Sequence, residues 1–174
     1  DLAYAPLTSN QTMTEDSVAL FHTSHANLTT SGTALSVASL GVGRAALAKA
    51  VGPGGATLNI QARSLLVPVE ILTTAEQLVS SLVDPSKNND AVNPAFIRGL
   101  TIVGEPRLST SSAVAWYLAS GDGDTVEVAF LEGNDAPFVE QQESFDTDAT
   151  RFKLRHVCAA RALDFRGLYK NNGA

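Results

Sequence analysis

The sequence contains a single cysteine, Cys158, so no disulfide can form within the chain of 174 residues. It has no run of about 18 consecutive apolar residues, the length that a membrane-spanning helix needs. Charged residues make up only 17% of the chain, and acidic residues outnumber basic ones by 18 to 12. The single cysteine argues against a disulfide-rich scaffold, and the lack of a long apolar run argues against a membrane span. The acidic charge balance argues against a surface built to bind nucleic-acid phosphates.

Hydrophobic residues make up 44% of the chain, which is enough for the core of one domain or of two small lobes that share a core. We therefore expect a soluble globular protein. Cys158 lies in an apolar stretch and is predicted to be a small buried side chain. The chain begins with Asp1 in a polar, irregular segment, so we expect it to be a processed or truncated piece of a longer protein.

The spacing of apolar residues predicts two helices among eight short strands, which indicates an α+β fold. The helices are predicted over 34–51 and 70–83, and residues 84–94 form a polar loop. The strands are predicted at 58–60, 64–67, 100–103, 115–119, 126–131, 138–143, 151–157 and 163–169. Turns at 120–124 and at Gly133-Asn134 are predicted to join neighbouring strands into hairpins.

The first predicted helix has candidate N-caps at Ser36 and Ser39. Gly41 and Gly43 in its interior each cost up to about 1 kcal/mol, so they indicate a bend or a close approach of another part of the chain. The segment before this helix, residues 1–34, has only scattered apolar positions. We expect it to loop or extend, and to need a neighbour to order it.

Histidines are the first candidates for chemistry, because His22, His25 and His156 are the only three in the chain. Zinc needs three or four ligands, and Cys158 is the only soft ligand near His156. One hypothesis is therefore a metal site formed by His22, His25, His156 and Cys158. The alternative is that the ring nitrogens of His22 and His25 hold an irregular loop by hydrogen bonds, with the help of Asn27. The second interpretation is favoured.

Pairs of acidic residues at Asp122/Asp124 and Asp146/Asp148 are predicted to lie in turns, since the later ligands of a calcium loop are missing. No serine-nucleophile, zinc-protease or phosphate-binding motif is present. We therefore predict no catalytic residues, no metal and no cofactor.

A row of three basic residues alternates along one predicted strand: Arg151, Lys153 and Arg155. Phe152, Leu154 and His156 share the opposite face. The basic row can pair with Glu140 and Glu143 on the preceding strand, at about 0.2 to 1 kcal/mol per pair. It can equally contact a neighbouring subunit, and both interpretations stay open.

Several blocks in a fixed order carry a family resemblance: LFHTSHANL, GTALSVASL, LLVPVEILTTAEQLVSS, EPRL, AWYLAS, VEVAFLEGNDAPFVEQQESFDTDATRFKLRHV and ALDFRGLYKN. Together, from about Ser17 to Asn171, they closely resemble the major capsid proteins of Mu-like tailed phages and prophages. In several of these the capsid protein is fused to an upstream prohead protease. The order of many short blocks makes the resemblance specific.

The resemblance implies the Hong Kong 97 capsid fold, with a spine helix, a peripheral β-sheet and a mixed α/β axial domain. Residues 1–34 would be the end of an N-terminal arm and extended loop that reach over neighbouring subunits. Residues 35–62 would hold the spine helix and the start of the peripheral domain, 63–125 the axial domain, and 126–174 the return into the peripheral sheet. Lys170 and Asn171 belong to the closing block rather than to a crosslinking motif, so no crosslink is predicted.

The implied function is that of a structural subunit of an icosahedral phage head, which assembles into hexamers and pentamers and encloses DNA without sequence-specific binding. Its partners would be copies of itself, a prohead protease and a portal, and the virion capsid would be assembled in the bacterial cytoplasm. The alternatives are an encapsulin-like compartment shell and a small metalloenzyme that uses His22, His25 and His156. The upstream arm of the family is missing here, so closure of a shell by these residues alone is left open.

Overall fold

The computed structural model describes residues 2–80, 92–121, 125–132, 136–144, 146 and 148–174. Within these residues the α-helices are α1 Ala5–Thr8, α2 Val37–Ala48, α3 Leu72–Ser80, α4 Ala95–Arg98 and α5 Pro106–Ser111. Turns of 3-10 helix lie at Leu2–Tyr4, Thr23–His25 and Val69–Ile71. The strands are β1 Leu28–Thr29, β2 Ala62–Val67, β3 Thr101–Gly104, β4 Trp116–Ser120, β5 Val126–Phe130, β6 Phe138–Ser144, β7 Ala149–Arg155, β8 Cys158–Ala162 and β9 Leu168–Asn171. The described chain is mixed α+β, as predicted.

One five-stranded sheet organises the chain, in the order β1-β9-β4-β2-β3. Strand β9 runs parallel to β1 and antiparallel to β4, while β2 is antiparallel to β4 and parallel to β3. This sheet joins strands from the predicted arm, axial and returning segments by direct hydrogen bonds.

The first face of the sheet is covered by helices. Alternate residues of the central strands point to this side, among them Leu65, Val67, Trp116, Leu118 and Tyr169. They pack against Leu40 and Leu47 of α2, Ala75 and Leu78 of α3, and Ile97 of α4. None of the described helices has the length and apolar character to cross a bilayer.

The second face of the sheet is covered by the N-terminal segment of the same chain. Leu7, Met13, Leu20 and Phe21 are at most 5% exposed and pack against Leu66, Tyr117 and Leu168 of the sheet. Residues 2–29 do have a packing partner that orders them, and it is the sheet of their own chain. The scattered apolar positions of this segment are its contacts with the sheet.

Helix α2 begins where the sequence predicted a cap. The side chain of Ser36 accepts from the backbone N–H of Ser39, the side chain of Ser39 accepts from the backbone N–H of Ser36, and the two form a capping box. Gly43 is the point of close approach, because a Cβ built there would lie 2.8 Å from side-chain atoms of Leu118 and Tyr169. Gly41 faces open space instead.

The second predicted helix is a 3-10 turn at Val69–Ile71 followed by α3, and β2 ends at Val67 before Pro68, as predicted. Residues 81–83 of that prediction and most of the predicted loop 84–94 lie outside the described residues. Residues 58–60 are not a strand, because Asn59 has a φ of 51°, in the left-handed region, and interrupts extended backbone. The short helices α1, α4 and α5 were not predicted.

The predicted strand 163–169 and the predicted hairpins are wrong. Strand β8 covers an alanine-rich stretch outside the predicted strands, residues 163–167 turn, and β9 begins only at Leu168. In that turn the Asp164 carboxylate accepts from the backbone N–H of Arg166 at 2.9 Å. Strand β5 pairs with β8, and neither β4 nor β6 pairs with it. Residues 122–124 and 133–135, in the predicted turns, lie outside the described residues.

Strands β6 and β7 form an antiparallel hairpin, from Phe138 opposite Arg155 to Ser144 opposite Ala149. The β5–β8 ribbon flanks it in sequence, so the two pairs are nested. Every residue of β7 is exposed, and so are residues 138–143 of β6. The hairpin therefore presents both faces to solvent.

Candidate functional site

The stretch from His22 to Asn27 folds into a tight turn that its own polar groups hold. The backbone N–H of Ser24 donates to Nδ1 of His22 at 3.2 Å, which caps the 3-10 turn Thr23–His25. The backbone N–H of His22 donates to Oδ1 of Asn27 at 3.1 Å. Ala26 closes the turn with a φ of 54°, in the left-handed region.

Asn27 is buried and ties this turn to two other parts of the chain. Its Nδ2 donates to the carbonyl of Leu20 at 2.8 Å and to that of Phe165 at 3.4 Å. The Asn27 carbonyl accepts from the backbone N–H of Lys170 in β9 at 2.8 Å. A buried amide with every partner in place positions the turn against the sheet, since orphaned partners would cost about 1–3 kcal/mol each.

The ring of His25 lies between the N-terminal segment and the β8–β9 connection. Its side chain is 4% exposed and stacks on Phe165, with 3.8 Å between ring centroids. Nδ1 contacts the carbonyl of Leu20 at 3.2 Å, and Nε2 contacts Oδ2 of Asp16 at 2.7 Å. The ring therefore joins Asp16 and Leu20 of the N-terminal segment to Phe165 of the β8–β9 connection.

The Asp16–His25 pair predicts a pH dependence of stability. The hydrogen bond from His25 lowers the pKa of the Asp16 carboxyl below its ordinary value of 3.8. A lowered pKa in the folded state contributes stability that is present above 3.8 and is lost as the pH falls through the lowered pKa. We expect Asp16→Asn to lower the Tm near neutral pH, and the difference from the unchanged protein to disappear in acid.

Oδ1 of Asp16 accepts a hydrogen bond from the backbone N–H of Val18 at 3.0 Å, and the asparagine keeps an oxygen for this bond. The variant therefore tests the pair with His25. Asp146→Asn, at an exposed carboxyl in the β6–β7 connection, is the matched control. Thermal unfolding followed by circular dichroism between pH 2 and pH 8 measures the Tm of both variants. This range spans the ordinary pKa values of carboxyl groups and of histidine. A Tm difference for Asp16→Asn that persists unchanged into acid would contradict the assignment.

The proposed metal ligands are not brought together. His156 follows β7 and stacks on Phe130 with 5.6 Å between centroids, and its Nδ1 lies 3.8 Å from the sulfur of Cys158. Nδ1 of His22 contacts Ser24, and the two ring nitrogens of His25 contact Leu20 and Asp16. In the part of the chain that the structure describes, no three His, Cys, Asp or Glu side chains form a group that could hold a metal ion. Cys158 is half-buried rather than buried.

The basic row lies on one face of the β6–β7 hairpin, as predicted. Lys153 is opposite Glu140, and its Nζ lies 2.8 Å from Oε2 of that carboxylate, which lowers the pKa of Glu140. Arg155 lies over the ring of Phe138 at 5.8 Å. Arg151 is opposite Gln142. Exposed pairs of this kind contribute little to stability, so the row fixes the hairpin only weakly.

The predicted pairing of Glu143 with the basic row is wrong. Glu143 is opposite Thr150, so the register places it on the other face of the hairpin. That face carries three large apolar side chains: Val139, Phe152 and Leu154, which are 60%, 70% and 68% exposed. Alternation in the sequence grouped Phe152 with Leu154, but it carried no signal that the face would lie uncovered.

Helix α2 carries a second uncovered apolar surface, which the sequence analysis missed. Its outer stripe consists of Ala38, Val42 and Ala45 and ends at Lys49; all four are exposed, Val42 by 59%. A groove of about 350 Å³ runs beside this stripe, between α2 and residues Thr33 and Asn171. A signal was available: Arg44 is the only charged residue of α2, and a helix that is apolar on all sides is normally buried.

Comparison with known families adds one finding. A protein-family model described as phage capsid protein matches residues 1–171. No curated protein matches the sequence, and no solved structure does. The matched range contains the histidine turn, helix α2, the sheet and the β6–β7 hairpin.

Proposed function

Because this chain belongs to the phage capsid protein family, a family of structural and not enzymatic subunits of the virion capsid, we propose that copies of it form hexamers and pentamers. These would close an icosahedral phage head around DNA. The observation that carries the proposal is the family match over residues 1–171, nearly the whole chain. Closed shells of this kind use heterologous contacts between identical subunits, repeated by symmetry.

Two physical features of the chain support assembly with copies of itself. The hairpin face of Val139, Phe152 and Leu154 and the outer stripe of α2 carry apolar side chains that the described residues of a single chain leave in water. Exposed apolar surface beside charged rims is typical of protein–protein contacts. The net charge of −6 also suits a container, because an acidic subunit does not bind the phosphates of packaged DNA tightly.

The finer assignment follows the resemblance to Mu-like capsid proteins and the Hong Kong 97 fold. On this proposal α2 is the spine helix, residues 63–125 contribute the axial domain, and residues 126–174 return to the peripheral domain. The apolar character of α2 supports its role as a central packing element. A prohead protease and a portal would be further partners, and assembly would take place in the bacterial cytoplasm.

Roles for the predicted site residues belong to the same proposal. His22, His25 and Asn27 would hold the turn that leads from the N-terminal segment to β1, and so set the path of the chain towards α2. Arg151, Lys153 and Arg155 would line a subunit contact on one face of the hairpin.

Electron microscopy of the full-length protein, expressed with any natural upstream region, tests the proposed function. We expect closed particles or rings of five and six subunits. A protein that stays monomeric over the whole range of accessible concentrations would overturn the proposal. Particles that enclose a protein cargo in place of DNA would replace the phage head with the encapsulin-like alternative.

A further inference from the structure

In the part of the chain that the structure describes, the β6–β7 hairpin has little support. An isolated two-stranded hairpin is at best marginally stable in water, and a covered apolar face normally supplies what is missing. Here that face carries Val139, Phe152 and Leu154, each at least 60% exposed. The fold therefore presents an apolar ribbon that needs a cover.

The outer stripe of α2 needs a cover for the same reason. Ala38, Val42 and Ala45 follow one another at spacings of four and three, so they form one continuous line on the helix surface. Small side chains on this line allow another backbone to approach closely. Both the stripe and the hairpin face are exposed in the same chain, so the hairpin does not cover the stripe of its own subunit.

The two surfaces match in length and in charge. From Ala38 to Lys49 the stripe is about 16 Å long at 1.5 Å per residue, and from Val139 to Glu143 the hairpin face is about 14 Å long at 3.4 Å per residue. The stripe is apolar from Ala38 to Ala45. On the hairpin face, Val139 is opposite Leu154, Phe152 is opposite Gln141, and Glu143 is opposite Thr150, so each surface carries one charge at one end. That charge is positive at Lys49 and negative at Glu143.

From this complementarity we infer that the apolar face of the β6–β7 hairpin of one subunit packs on the outer stripe of α2 in a second copy of the chain, with Glu143 beside Lys49. The inference rests on the proposed function, because it names the contact through which copies assemble. The charge pair sets the direction: Leu154 lies towards Ala38, and Phe152 lies between Val42 and Ala45. On this inference the hairpin is the element that extends to the neighbouring subunit, while residues 2–29 stay packed on the sheet of their own chain.

Cysteine crosslinking between two variants of the full-length protein tests the contact directly. In a Cys158→Ser background, one variant carries Leu154→Cys and the other Ala38→Cys. A disulfide forms only if the two Cα atoms come within about 4.4–6.8 Å. We expect crosslinked pairs of the two variants after mild oxidation, and none when Gln142→Cys, on the opposite face of the hairpin, replaces Leu154→Cys.

Assembly measurements add an independent readout. Phe152→Asp and Val42→Asp are each expected to raise the protein concentration needed for half-assembly by at least about tenfold. Gln142→Asp, which adds the same charge to the other face, should leave that concentration unchanged. Phe152 and Val42 are exposed, so all three variants should keep the Tm of the unchanged protein. Glu143→Lys and Lys49→Glu should each weaken assembly, and the double variant should restore it.

The outcomes separate the inference from the proposed function. Particles without the Leu154–Ala38 crosslink, or with equal crosslinking of the Gln142 control, would overturn the inferred contact and leave the capsid role intact. A specific crosslink in concentrated protein that never forms particles would support the contact and overturn the proposed shell. Equal assembly of Phe152→Asp and Gln142→Asp would also refute the contact.

Discussion

Gly43→Val is expected to lower the free energy of unfolding by about 3 kcal/mol, the upper part of the usual range for overpacking a core. A Cβ at Gly43 would already lie 2.8 Å from Cδ1 of Leu118 and from Cε1 of Tyr169. Both of these side chains are at most 2% exposed and are packed in the core between α2 and the sheet, so neither can move aside freely. The two methyl groups of valine enlarge the clash.

Gly41→Ala is the matched control, two residues away in the same helix. Nothing lies within 4 Å of a Cβ at Gly41, so the substitution only removes the flexibility of glycine. We expect it to raise the free energy of unfolding by about 0.5–1 kcal/mol. Urea unfolding followed by circular dichroism measures both variants, and equal effects of the two would refute the close approach of α2 to the sheet.

Trp116→Ala is expected to cost about 3–5 kcal/mol, because it removes the largest fully buried side chain of the core. The indole lies 5.9 Å from the ring of Tyr169, measured between centroids, and its Nε1 donates to the carbonyl of Thr33 at 3.2 Å. That hydrogen bond joins β4 to the loop that leads into α2. We therefore expect the variant to be largely unfolded, or to have a much lower Tm.

Trp116→Phe separates the two contributions. Phenylalanine keeps most of the ring volume but loses the N–H that Thr33 accepts, so its cost should lie well below that of alanine. Thermal and urea unfolding of both variants provide the comparison. Equal losses for phenylalanine and alanine would show that the hydrogen bond, and not the volume of the indole, dominates at this position.

Local chemistry explains which elements could be predicted. The start of α2 was predictable because Ser36 and Ser39 satisfy the first free N–H groups of the helix with their own side chains. The end of β2 was predictable because Pro68 cannot donate to a strand ladder. Strand β8 was missed because its alanine-rich stretch has neither β-branched residues nor an alternating pattern, and only its pairing with β5 makes it a strand.

The residues of the candidate site also divide into those that local sequence reveals and those that it does not. His22, His25 and Asn27 were visible in the sequence because they lie within one short stretch, but Asp16 and Phe165 were not, since contacts across long sequence separations leave no local signal. The basic row was visible from alternation alone. Its pairing with Glu140 and not with Glu143 depended on the register of β6 against β7.

The sequence by itself determined the family resemblance, the mixed α+β class, the cap of α2 and the absence of a disulfide, because each depends on residue identity or on neighbours a few positions away. Only the tertiary structure decided that residues 2–29 cover the chain's own sheet, and that the hairpin face and the stripe of α2 stay uncovered. Periodicity tells which side chains share a face. Which element covers that face depends on residues far away in the chain. For the hairpin face and the stripe of α2, we propose that the cover is a second copy of the chain.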